Sequence, residues 1–127
     1  MPIRKEHKEF HTVDMDSEDW HSPPGYPQEI VQKILAGSLD EVSKVGNRTR
    51  LLQFRPGAYT VKPFVHDYWE EVYLISGDLT VGDEAHGERG RTFAPNTYAC
   101  RPPGIYHGPF KSEKGCVLLE IHYYEQQ

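Results

Sequence analysis

Apolar residues in this chain fall in short runs, each closed by a turn signal. "TRLLQFR" stops at Pro56-Gly57, "EEVYLIS" at Gly77-Asp78, and "TYACR" at Pro102-Pro103-Gly104; "YTVKPFVH", "LTVG" and the late "CVLLEIHYY" complete the series. Short strand-like runs at this spacing predict an all-β domain, a sandwich or closed barrel, and exclude βαβ units. The "SGD" turn reads as a tight hairpin, and Gly90 and Asn96 read as left-handed backbone positions. One segment is ambiguous. In "PQEIVQKILAGS", Ile30, Val31, Ile34 and Leu35 stand at helical spacing with Gly37 as a stop, yet the same residues suit a short strand. The expectation is therefore at most one or two short helices. Residues 1–26 read as a polar N-terminal arm, because Pro23-Pro24-Gly25 and Pro27 forbid a continuous helix while Trp20 offers an anchor on the body. Residues 27–127 read as a single barrel domain.

Composition sharpens the picture. A chain of 127 residues is long enough for one real core. Ten prolines, eleven glycines, eight tyrosines, five phenylalanines and two tryptophans favour β structure. The net charge of -5 comes from 19 acidic against 14 basic residues with no basic stripe, which argues against nucleic acid and for a small-molecule partner. The apolar cluster "EIVQKILAG" is far too short to span a bilayer, and "MPIRKEHKEF" lacks the apolar centre of a signal peptide, so no membrane association and a cytoplasmic location are expected. Cys100 and Cys116 lack zinc-finger spacing and read as free thiols.

The chemistry gathers in two segments. In "PFVHDYWEEVYLISGDL", His66 lies four residues before Glu70; on a strand Phe64 and His66 share a face, and Glu70 returns to it after the "DYW" bend. In "RPPGIYHGPF", a rigid turn delivers His107 beside them. Two imidazoles and a carboxylate form a facial set that leaves coordination positions open. The competing reading makes the histidines ordinary edge residues and Glu70-Glu71 a solvated pair. Alternation sends Glu71 outward. Arg101 and Tyr73 are the candidate catalytic residues: an arginine just before a proline turn either pairs with a surface carboxylate or holds an anionic substrate. Phe54, Tyr98 and Tyr106 are further candidates for a pocket lining, although aromatics in a small barrel are mostly core. His122 and Glu120 read as an exposed pair, and His7, His11 and His21 suggest no ligand set.

Together these segments resemble the cupin superfamily (RmlC-like). Gly57, Phe64-x-His66, Glu70 and Gly77 follow its first motif, with Phe64 where the family has its first histidine. Pro102-x-Gly104 and His107 follow the second, with Asn96 and Lys111 in place of its leading glycine and terminal asparagine. The resemblance covers residues 49–124. The upstream "DMDSEDW" and "RTRLLQFRPGA", with "EEVYLISGDL" and "PPGIYHGPF", resemble a branch that includes acetylacetone-type dioxygenases and the cupin domain of zinc-binding anti-sigma factors.

The resemblance implies a double-stranded β-helix, or jelly-roll barrel, with metal ligands at His66, Glu70 and His107. A phenyl ring donates no lone pair, so the site holds a divalent metal with three protein ligands or has lost it. Fe(II) is the favoured metal, with Zn, Ni or Mn as alternatives. The implied function is a dioxygenase cleaving a carbon–carbon bond in a small diketone or hydroxyketone; the alternatives are a non-oxidative isomerase, cyclase or lyase, or a non-catalytic sensing cupin. The arm and exposed strand edges suggest a homodimer.

Overall fold

The computed structural model describes residues 5–83, 85 and 89–125, so the outermost residues of the expected arm and barrel lie outside it. Its strands are β1 (Ile30–Asp40), β2 (Val45–Phe54), β3 (Trp69–Gly77), β4 (Leu79–Val81), β5 (Arg91–Phe93), β6 (Thr97–Arg101), β7 (Phe110–Lys111) and β8 (Cys116–Tyr123). They form two antiparallel sheets, a five-stranded one in the order β1-β2-β8-β3-β6 and a three-stranded one in the order β5-β4-β7. The described residues contain no α-helix.

One ambiguity is resolved and three local expectations are corrected. The ambiguous segment is β1: its β-branched Ile30, Val31 and Ile34 pair along β2, and a bulge between Ile34 and Ala36 breaks the strict alternation that would have marked a strand. "YTVKPFVH" makes only isolated bridges, at Tyr59 and Phe64. Gly77-Asp78 is no hairpin; there the chain leaves one sheet for the other. Gly77 has φ +83°, and a Cβ would stand 1.9 Å from the Gly115 carbonyl oxygen, so this corner requires glycine. Asn96 is left-handed (φ 70°) as expected, whereas Gly90 is not.

The arm lies along β1, an edge of the larger sheet. His21 bridges to Gln32, and the Lys33 ammonium donates to Asp19 (2.6 Å) while sitting 5.5 Å from the centre of the Trp20 ring. The edge is thereby covered.

The inward face of the larger sheet is graded row by row. Cross-strand register sets Leu52, Leu118, Leu74 and Thr97 side by side on β2, β8, β3 and β6. Two residues along comes the row Arg50, Glu120, Val72 and Ala99, and two further the row Arg48, His122, Glu70 and Arg101. Leu52, Leu118 and Leu74 of the first row belong to the apolar core with Ile30, Phe54, Ala58, Leu79 and Cys116. The third is entirely polar. Burial of the core side chains contributes roughly 1.5–3 kcal/mol each, and that stabilisation supports a polar end whose desolvation is costly.

Candidate metal centre

Three segments bring candidate ligands together at the polar end. Glu70 enters from β3, whose alternation turns Glu70, Val72 and Leu74 inward. His66 and His107 come from the irregular chain flanking β3 and β6. Their backbones are clamped: Phe64 N–H donates to the His107 carbonyl (2.7 Å), His107 N–H to the Phe64 carbonyl (2.9 Å), and Gly104 N–H to the His66 carbonyl (2.8 Å). The Pro102-Pro103-Gly104 turn thus fixes both histidines against each other.

The Nε2 atoms of His66 and His107 stand 3.6 and 3.5 Å from the Glu70 carboxylate, and the three ligand atoms all lie within 4.8 Å of one another. The His107 Nδ1 sits 3.2 Å from the Ile105 carbonyl oxygen, which can only accept, so the ring proton is on Nδ1 and Nε2 turns a lone pair toward a carboxylate. The His66 Nε2 is buried with no hydrogen-bond partner. A histidine lone pair and an unpartnered buried imidazole nitrogen facing a carboxylate at these distances fit a divalent metal. Burial holds both imidazoles toward the neutral, ligating form: His66 is pushed down to about 4, and His107 is also lowered, against the opposing pull of Glu70 in each case.

A second cluster, Glu70, Glu120 and His122, is equally compact but differs in chemistry. Arg48 aims Nε (3.0 Å) and Nη2 (2.9 Å) at the His122 Nδ1. A guanidinium carries only donors, so Nδ1 holds the lone pair and the ring proton is on Nε2, 3.2 Å from Glu70 Oε2. His122 therefore donates where a ligand would accept. Glu120 is engaged by Arg50, whose Nε and Nη2 lie 2.8 and 2.7 Å from its Oε1, while Arg50 Nη1 donates to Gln32. Burial alone would raise the Glu120 pKa; Arg50 and His122 reverse this and hold it well below the usual carboxylate range.

Arg101 reaches Glu70 Oε1 from β6 (3.0 Å) and lines a small cavity of about 30 Å³ with Tyr26, Phe54, Val72, His107 and Phe110. Tyr73 stands apart. It is on the outer face of β3, and its hydroxyl donates to Asn96. Tyr98 is also outward, donating to Glu71, and Tyr106 is 71% exposed. Phe64 stacks on Tyr26 at 4.8 Å; both line an outer cleft of about 800 Å³, and Tyr26 lines the small cavity as well. The exposed reading of His122 and Glu120 is overturned: they are 0% and 5% exposed. Arg48, Arg50 and Tyr26 carried no sequence signal of their own. Period-two alternation in "TRLLQFR" and "CVLLEIHYY" puts the Arg50 and Glu120 positions on the same faces as leucines, which was the one available hint.

Neither a protein-family model nor a curated protein sequence matches this chain. Solved structures do. An RmlC-like cupin from Shewanella frigidimarina superposes with a TM-score of 0.65 at 13% identity, covering 98% of this chain and 97% of that one. The polyketide cyclase RemF from Streptomyces resistomycificus gives 0.64 at 17% identity (92% and 81%), and an acetylacetone dioxygenase from Acinetobacter johnsonii 0.63 at 17% (97% and 80%). The protein has the cupin fold. At these identities the likeness extends to the fold alone.

Proposed function

We propose that this protein is a metal-dependent cupin enzyme acting on a small oxygenated substrate, with His66, Glu70 and His107 as ligands and Fe(II) as the favoured metal. The reading rests on one observation: two buried imidazole nitrogens, the Nε2 atoms of His66 and His107, converge on the Glu70 carboxylate at 3.6 and 3.5 Å, that of His66 without a hydrogen-bond partner. When bound, such a metal supplies Lewis acidity and, for iron, redox chemistry toward oxygen. The chain's own groups do the rest. Arg101 holds an anionic oxygen of the substrate beside Glu70, in keeping with the fork geometry of its donors. Phe54, Val72 and Phe110 give the inner cavity an apolar wall opposite its charged groups. Oxidative carbon–carbon cleavage of a diketone or hydroxyketone is the favoured reaction, supported by the motif resemblance and by the fold shared with an acetylacetone dioxygenase. The fold is shared with a cyclase as well, so a non-oxidative reaction is the second reading.

Metal content measured on protein purified without chelator tests the proposal. His66→Ala, Glu70→Ala and His107→Ala should each lose most of the metal, because two remaining ligands hold a divalent ion poorly, while Glu71→Ala keeps it. Equal metal in Glu70→Ala and wild type would refute the site. The working unit is proposed to be a homodimer through the outer face of the larger sheet, where Tyr73, Ile75 and Tyr98 are exposed. Light scattering should find a dimer in the wild type and a monomer in Ile75→Glu/Tyr98→Glu; a monomeric wild type would end that part of the reading.

A further inference from the structure

His122 and Arg48 stand behind Glu70 on adjacent strands, in one row of the sheet. Both are set by register: Arg48 is the direct partner of His122, and His122 of Glu70. His122 is fully buried, and its ring is fixed at both edges, by Arg48 at Nδ1 and by the carboxylate at Nε2. Its ring packs at a 50° tilt against Tyr68, with centroids 4.8 Å apart, and the Arg48 guanidinium lies 6.0 Å from the centre of the same Tyr68 ring. The Glu70 carboxylate is consequently held on two sides, by His122 at Oε2 and by Arg101 at Oε1.

We infer that Arg48 and His122 are positioning residues, which fix the His122 tautomer and through it aim the Glu70 carboxylate at His66 and His107. The inference rests on the metal reading above. Without Arg48, a proton on Nδ1 is no longer excluded, and only the Glu70 carboxylate and the more distant Glu120 oxygen (3.5 Å) favour the proton on Nε2. An imidazole in the other tautomer turns a lone pair on Glu70 and leaves the carboxylate held by Arg101 alone. Partners of this kind behind a ligand change metal affinity about 10- to 100-fold on removal.

The test uses the full-length protein stripped of metal and titrated with Co(II), whose absorption spectrum reports both affinity and ligand geometry. Arg48→Met and His122→Leu should weaken Co(II) binding by about 10- to 100-fold and alter the spectrum. His122→Gln retains an N–H where Nε2 stands and should stay close to wild type, and Arg48→Lys should recover part of what Arg48→Met loses. This graded rescue is something a merely structural role would not produce. Equal affinity in all four variants, or a His122→Gln loss as deep as that of His122→Leu, overturns the inference. Nitrogen-15 spectra of ring-labelled histidine in the metal-free wild type provide an independent reading. A proton on His122 Nε2 supports the arrangement, and a proton on Nδ1 overturns it. If the wild type takes up no Co(II), the metal reading fails by itself, and the tautomer alone then decides whether Arg48 and His122 orient Glu70.

Discussion

Breaking the Arg50–Glu120 pair should cost more than removing any single core methyl group. Both side chains are nearly sealed, at 3% and 7% exposure, and two guanidinium nitrogens converge on one carboxylate oxygen. With charge centres about 4 Å apart and an effective dielectric constant of about 20, the attraction is about 4 kcal/mol. Most of this offsets the cost of taking both ions out of water, so the net value of the intact pair is small. Removal of one partner exposes that hidden cost. Glu120→Leu leaves a buried guanidinium, Arg50→Met leaves a buried carboxylate, and each should destabilise by about 3–5 kcal/mol. For a chain of this size that lowers the melting temperature by roughly 10–20 °C. The double variant Arg50→Met/Glu120→Leu removes both charges and keeps comparable volume, so it should be more stable than either single variant. Urea denaturation of the four proteins closes a double-mutant cycle. Additive losses, or single variants that each cost under about 1 kcal/mol, would mean that the two charges do not depend on each other.

Two further outcomes are expected. The buried His66 imidazole, pushed down to about 4 from its ordinary 6.5, refuses a proton that the unfolded chain accepts; the metal-free protein should be fully stable above about pH 6.5 and lose stability as pH falls toward 4. Solvent contact at the ring reduces the total to about 2 kcal/mol, and urea midpoints that do not change between pH 7 and 4.5 would refute this. Phe64→His should tighten metal binding on the order of tenfold, about 1.4 kcal/mol, because the Phe64 ring lies 6.3 Å from both ligand rings; weaker binding in a Co(II) titration would show that this position does not reach the centre.

The all-β fold and the clustering of His66, Glu70 and His107 were legible because both are written locally. Turn residues punctuate the strands, and His66, Glu70 and His107 are each placed by spacing to a nearby turn: Glu70 before Gly77, His107 after Pro102-Pro103-Gly104. The groups behind them were hidden because their partners are remote. Arg48 and His122 are 74 residues apart, and only the β2–β8 register makes them neighbours. Strand β8 compounds the difficulty: Val117, Leu119, Ile121 and Tyr123 make its outer face more apolar than the inner face of Cys116, Leu118, Glu120 and His122. Read alone, such a strand points its charges toward water. The buried arginines that satisfy those charges sit on another strand. Tyr73 was misjudged in the opposite sense, since nearness to Glu70 in sequence says nothing about facing when strand parity differs.

The graded rows of the larger sheet also bear on how such a protein can be inherited and altered. Each row draws one residue from four distant parts of the chain, and each lies two positions from the next. Substitutions confined to the polar row change what the barrel can bind while leaving Leu52, Leu118 and Leu74 in place to hold the sheet on its partner. A lineage that rewrites this chemistry does so by changing facing residues of a row together, because a change to one buried polar partner alone strands the other.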